Sequence, residues 1–111
     1  MNTESHILAD IRLALGREPD FRVWRNETGT ARHLNRHVRY GLCRGSSDLI
    51  GILSPAGRLV ALEVKTAAGR PTREQLLFLD VVRRFGGFGA IVRSVDEAHA
   101  ALDRARRGLS E

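Results

Sequence analysis

Lysine is almost missing from this chain. Of its eighteen basic residues seventeen are arginine, and Lys65 is the single lysine. Cysteine is as scarce: Cys43 stands alone, so an internal disulfide is excluded and a reducing, cytoplasmic setting is expected. No run approaches the roughly 18 consecutive apolar residues that cross a bilayer, so no helical membrane span is expected. The opening residues, Met1 to His6, carry no basic region followed by an apolar stretch and read as no secretory leader. Repeats, low-complexity tracts and long linkers are absent too. A length of 111 residues therefore reads as one domain, residues 1–111, with a core large enough to fold without staples.

What the chain does have is positive charge, and it is unevenly placed. The formal net charge is +5. Between Phe21 and Ser47 lie six arginines (Arg22, Arg25, Arg32, Arg36, Arg39, Arg44) against one acid, Glu27, so this stretch carries the whole excess. Such a segment suits a polyanion, nucleic acid first. The plainer alternative is a solvated basic face or an arginine-rich composition.

Apolar spacing gives the elements. Thr3 or Ser5 can cap a first helix in which Ile7, Leu8, Ile11 and Leu15 share a face, with Gly16 placed as a C′ residue. Glu4 falls on the edge of that face. Phe21–Arg25 reads as a strand, Asn26–Gly29 as a turn, and the polar, basic stretch Ala31–Tyr40 as an extended loop. Asp48–Leu53 and Leu59–Lys65 read as a hairpin joined by Ser54-Pro55-Ala56-Gly57. Thr72-Arg73-Glu74-Gln75 fits a capping box that opens a second helix, with Leu76, Leu79, Val82 and Phe85 as its apolar stripe. Phe88–Arg93 is a further strand, and Asp96 caps a last helix. The order α-β-β-β-α-β-α predicts an α/β sandwich with a mixed central sheet.

Alternation along a strand places Leu59, Ala61, Glu63 and Lys65 on one face, with Glu63 and Lys65 about 6–7 Å apart. Asp48 shares a face with Ile50 and Ile52 at the start of the paired strand. A hairpin can bring that start opposite the end of the next strand, so Asp48 can meet Glu63 and Lys65. Two carboxylates offer hard oxygen ligands for Mg²⁺, which also takes phosphate oxygens. A neighbouring ammonium can orient water or stabilise a charged phosphate transition state. The competing reading is a structural Glu–Lys pair at a sheet end.

The run Gly41-Leu42-Cys43-Arg44-Gly45-Ser46-Ser47-Asp48-Leu49-Ile50-Gly51, then Leu62-Glu63-Val64-Lys65-Thr66, Gly69-Arg70, Gln75 and Gly86-Gly87, resembles the VRR-NUC branch of the PD-(D/E)xK nucleases. The resemblance covers roughly residues 23–97. It implies a restriction-endonuclease-like fold and a Mg²⁺- or Mn²⁺-dependent deoxyribonuclease. Asp48 and Glu63 would be metal ligands, the backbone carbonyl of Val64 would complete the coordination, Lys65 would be the catalytic lysine, and Gln75 would stand near the site. Glu4 is a candidate for the first-helix acid of many members. The first motif reads Ser-Asp in place of Pro-Asp, as is common in this branch. The resemblance further implies a phage-type, stand-alone homodimer acting on branched DNA such as Holliday junctions or flaps. Two alternatives remain: a catalytically silent DNA-binding module, and a subunit active only with a replication or repair partner.

Several residues keep two readings. Gln75 also sits where a capping box needs it. Arg25, Asn26, Thr28, Arg32, Arg36, Arg39, Arg44 and Ser47 lead into Asp48 and suit phosphate contacts, as do Arg70 and Arg73 at a helix entrance. His33 and His37 are four apart, but no third ligand accompanies them, which favours loop or phosphate contacts over zinc. Trp24 and Tyr40 can stack on bases, although Trp24, in a predicted strand, is expected in the core.

Overall fold

The computed structural model describes residues 3–111; Met1 and Asn2, which open the segment read for a leader, lie outside the described residues. Helix α1 (Glu4–Leu15) starts at Thr3, whose hydroxyl accepts from the His6 N–H. Strand β1 (Phe21–Arg25) is followed by β2 (Gly29–His33), β3 (Arg36–Tyr40), β4 (Leu49–Leu53) and β5 (Arg58–Val64). Then come α2 (Arg73–Arg84), β6 (Phe88–Val92) and α3 (Val95–Arg106). Four strands form the central sheet in the order β1-β4-β5-β6. The β1–β4 and β4–β5 pairs are antiparallel, and β5–β6 is parallel, with α2 as the crossover. This is the expected α/β sandwich with a mixed sheet. Among the described residues no helix is long and apolar enough to cross a membrane.

The two faces of the sheet are unequally filled. On one, Leu8, Ile11 and Leu15 of α1 and Ala98, Ala101, Leu102 and Ala105 of α3 pack on Phe21, Leu49, Val60, Leu62, Val64 and Phe88. On the other, α2 alone supplies Leu79 and Val82 over Ala61, with Ile50, Phe78 and Ile91 partly buried around them. Strand β5 divides its side chains between these layers. Val60, Leu62 and Val64 enter the larger core, and Ala61 and Glu63, with Lys65 just past the strand, face the α2 side.

Arginine holds the seams. The Arg58 guanidinium donates to the carbonyls of Gly86, Gly87 and Ala105 at the ends of α2 and α3, and Arg83 donates to Gly89 O. Arg106 grips both oxygens of Asp20 at 2.8 and 2.9 Å, and that hydrogen bonding holds the Asp20 carboxyl below its ordinary value.

Five local expectations are corrected. The stretch read as an extended loop from Ala31 to Tyr40 is a two-stranded ribbon, β2 paired with β3 through Leu34-Asn35. Both of its faces are exposed and its turn has no glycine, so neither an apolar alternation nor an Asn-Gly signal marks it. The buried line of α2 runs through Phe78, Leu79 and Val82, with Gln75 half-buried in the same line; Leu76 and Phe85 are exposed. The helix is rotated so that its polar N3 residue faces the sheet. Trp24 is 53% exposed, because it lies on the α2 side of edge strand β1, whereas α2 packs mainly on β5 and β6. Ser94, not Asp96, caps α3 by accepting from the Glu97 N–H. Gly16 caps α1 in right-handed conformation, φ −64, so no left-handed C′ turn is made there.

Because α2 is fastened by so few buried side chains, Leu79→Ala is expected to cost about 2–5 kcal/mol in urea unfolding, whereas Leu76→Ala should stay within about 0.5 kcal/mol.

Candidate functional site

Three segments converge at the C-terminal end of β5, the end of an α/β sheet at which ligands ordinarily bind. The register Ile50↔Ala61 and Leu49↔Leu62, continued one step, sets Asp48 opposite Glu63. Asp48 Oδ2 accepts from the Val64 N–H at 2.8 Å, which fixes its carboxylate at the strand end. Glu63 is 1% exposed. One of its oxygens, Oε2, accepts from Gln75 Nε2 at 3.0 Å and lies 3.6 Å from Lys65 Nζ. The third segment is the first turn of α1, where Glu4 brings a carboxylate. Ligand oxygens of Glu4, Asp48 and Glu63 all lie within 4.8 Å of one another.

Gln75 resolves its two readings by holding both. Its Oε1 accepts from the Thr72 N–H at 2.8 Å while the Thr72 hydroxyl accepts from the Gln75 N–H at 3.2 Å, a complete capping box. The amide nitrogen of the same side chain is left to donate to Glu63. The helix start and the buried carboxylate are thus tied through one residue.

Glu63 Oε1 is buried and has no hydrogen-bond partner among the described residues. A buried carboxylate oxygen without a partner is costly unless something positive reaches it. Burial pushes the Glu63 carboxyl from 4.5 up to about 8; the Asp48 and Glu4 carboxylates add to the rise, and Lys65 offsets part of it. An octahedral Mg²⁺ with bonds of about 2.1 Å spaces its ligand oxygens by about 3 to 4.2 Å. A cluster within 4.8 Å, one of whose carboxylates carries a buried oxygen without a partner, fits such an ion after small side-chain adjustments. The donor set is all oxygen, as Mg²⁺ and Mn²⁺ prefer.

The loops around the cluster are braced. Gly45, at φ +86, lies so close to α2 that a Cβ there would meet the Glu74 carbonyl at 2.5 Å; only glycine fits. Asn26 Nδ2 donates to Ser46 Oγ at 2.7 Å and to Ser47 O at 3.0 Å. Arg93 Nη1 donates to Thr66 O and Gly69 O, both at 2.6 Å, and so pins the turn that follows Lys65. The sequence reading missed Arg93. Its only signal was an arginine closing an apolar strand just before a helix cap.

The residues expected to touch a polyanion divide. Arg25, Thr28, Arg32, Arg36, Arg39, Arg44, Arg70 and Arg73 are exposed, and Arg25 pairs with Glu27 at 3.3 Å. Ser47 is fully buried, its hydroxyl shut away from any surface contact. Asn26 is committed to the loop it braces. Ser47 is thus corrected from a contact residue to an internal one, because the chain turns inward before Asp48 to enter β4, while Asn26 is half-buried. His33 and His37 fall on opposite faces of the ribbon, since neighbouring positions in the β2–β3 register alternate, and they form no metal group. Tyr40 is exposed at the ribbon base.

A mixed sheet with acids at the facing ends of two antiparallel strands, and a lysine two residues beyond the second acid, defines a restriction-endonuclease-like nuclease domain. The family model for the VRR-NUC domain matches residues 27–96, more than half of the chain, and the chain belongs to that family. It is therefore a nuclease-type, DNA-cleaving domain. No curated protein compared with the chain matches it. The matched span contains Asp48, Glu63, Lys65 and Gln75; Glu4 lies outside it.

The raised Glu63 value has a defined consequence for stability in EDTA. The folded chain keeps the proton up to about pH 8, whereas the unfolded chain releases it near 4.5. Between those values the folded state binds more protons, so stability falls as pH rises through this window and levels off above it. Urea titrations at pH 5, 7 and 9 should show that decline, and Glu63→Gln should remove this contribution; equal slopes for both proteins would contradict the buried-acid account.

Proposed function

We propose that the domain is a Mg²⁺- or Mn²⁺-dependent endonuclease that hydrolyses DNA phosphodiester bonds, with branched DNA such as Holliday junctions or flaps as its substrate class. The observation that carries the reading is the orphaned, buried oxygen of Glu63 inside a three-carboxylate cluster, with Lys65 3.6 Å from the same side chain. Asp48 and Glu63 would hold the ion, with Glu4 and the Val64 carbonyl as further oxygen donors. When bound, the ion supplies charge neutralisation at the phosphate and acidifies water.

The chain's own residues do the rest. Asp48 keeps one oxygen on the Val64 N–H and has the other free to ligate. Gln75 holds Glu63 in one rotamer. Lys65, nearly buried, is placed to orient the attacking water or to stabilise the crowded phosphate at the transition state. The exposed Arg32, Arg36, Arg39 and Arg44, with Thr28, supply sequence-independent phosphate contacts, and Arg70 and Arg73 flank the opening of α2. Arg25, at the end of β1, would add to them.

One chain carries one such cluster, so paired cuts in a symmetric substrate call for two copies, and we assign a homodimer. Exposed apolar side chains support it: Trp24, Ile52 and Leu59 on the uncovered part of the sheet, and Leu77, Val81 and Phe85 on α2. The chain is read as one such domain, and the setting is the cytoplasm of a bacterial or phage-infected cell.

The test offers labelled duplex, flap and four-way-junction DNA with Mg²⁺, Mn²⁺ or EDTA. Wild type should cut only with metal; Lys65→Ala should bind with unchanged affinity and lose about 10²-fold or more in rate. Mn²⁺ without DNA should raise the melting temperature of wild type and not that of Glu63→Gln. Cutting by Lys65→Ala at the wild-type rate would sink the mechanism. Wild-type binding without cutting in every condition would favour a silent module or a subunit that waits for a replication or repair partner. Light scattering reads the oligomeric state.

A further inference from the structure

The β2–β3 ribbon is made in an unusual way for an element with no core to serve. Every residue from Thr30 to Arg39 is exposed, and among the described residues the ribbon has no extensive packing on another helix or strand. A free two-stranded ribbon is marginal in water, so its persistence needs another reason. Its faces differ. The register Thr30↔Arg39 and Arg32↔His37 puts the two arginines on one face, diagonal to each other. The other face carries Ala31, Val38 and Tyr40 together with His33 and Arg36 near the tip, with the Tyr40 ring lying over Gly29. From Thr28 to Ser47 no acidic residue occurs.

The tip is the second observation. Leu34 and Asn35 both take left-handed backbone, φ 49 and φ 62. Asn tolerates that conformation; Leu is disfavoured in it, and turns of this type ordinarily use Asn, Asp or Gly. Leu34 is also 81% exposed. A strained backbone carrying a large apolar side chain into solvent points to a contact made outside the chain. The ribbon is also joined to the site by a short segment. Gly41, at φ +88, closes its base against Glu27 O and Thr28, and seven residues later the chain reaches Asp48.

We propose that this ribbon is the element that recognises the branch point. The basic face lies along the sugar-phosphate backbone of a duplex arm, and Leu34 wedges against the base pair where the strands part. The inference rests on the nuclease reading above and deepens it. A two-stranded ribbon five residues long, about 17 Å, is of a size that enters a major groove about 12 Å wide. Apolar side chains inserted at a base step unstack it, and the cost is least where stacking is already interrupted. A branch point is such a place, so the wedge selects DNA structure and not sequence.

Leu34→Asn separates the roles, because Asn removes the wedge and suits the turn. Its melting temperature should equal or exceed that of wild type. With Mn²⁺, the ratio of cleavage rates on a four-way junction and on linear duplex should fall about tenfold, while the linear-duplex rate is unchanged. A 2-aminopurine placed beside the branch point should brighten with wild type and with Leu34→Met, and stay dark with Leu34→Asn. Arg32→Ala should weaken both DNAs alike and lower the salt slope of binding by about one. An unchanged junction-to-duplex ratio and unchanged brightening in Leu34→Asn, or equal wild-type rates on the two DNAs, would overturn the proposal while leaving the nuclease reading intact. Failure of wild type to cut any of the DNAs would remove that reading, and this inference with it.

Discussion

One hydrogen bond sets the geometry of the candidate site: Asp48 Oδ2 to the Val64 N–H, 2.8 Å long. It extends the β4–β5 ladder by one side-chain contact and locks the register in which Asp48 stands opposite Glu63. A slip of one residue would turn Glu63 and Lys65 into the large apolar core and Val64 toward α2. The hydrophobic demands of β5 and the placement of its charges are therefore the same demand. Val60, Leu62 and Val64 must face α1 and α3, and that obliges Glu63 and Lys65 to face the thinner layer.

The thinness of that layer is itself informative. A face covered by one helix leaves room at the strand end for a buried carboxylate, a lysine and a polar N3 residue. Gln75 would be an ordinary cap if α2 pointed its first turn to solvent. Because the helix is rotated to pack through Phe78, Leu79 and Val82, the cap residue reaches the sheet, and local helix-start chemistry becomes part of the site. Rigidity is supplied from behind by arginines bonded to carbonyls, and by Asn26 and Gly45 in the loop before β4.

Much of this was legible in the sequence, for physical reasons that can be named. The sheet and its helices follow from apolar periodicity, and the family follows from the spacing of Asp48, Glu63, Lys65 and Gln75, which the family match bears out. Period-two alternation was enough to put Glu63 and Lys65 on one face. What escaped were features decided by tertiary context. The ribbon has no buried side, so its alternation is silent. The rotation of α2 depends on what the sheet offers, not on which of its residues are apolar. Trp24 is apolar on an edge strand whose outer side nothing covers. Ser47 looked like a surface serine because it lies in a polar run, yet the chain dives inward there. Charge counting likewise gave no role to Arg58, Arg83, Arg93 and Arg106, which fasten one element to another through carbonyls and carboxylates.

That division of labour among cations leaves the chain with a chemical peculiarity. Guanidinium groups do not react with amine-selective acylating reagents, and Lys65 is the single side-chain amine in the sequence. It is 9% exposed and sits beside Glu63. Any acetyl, biotinyl or fluorescent group placed on a lysine of this protein must therefore land inside the carboxylate cluster. The rate of that labelling makes the residue a built-in reporter of access to the site.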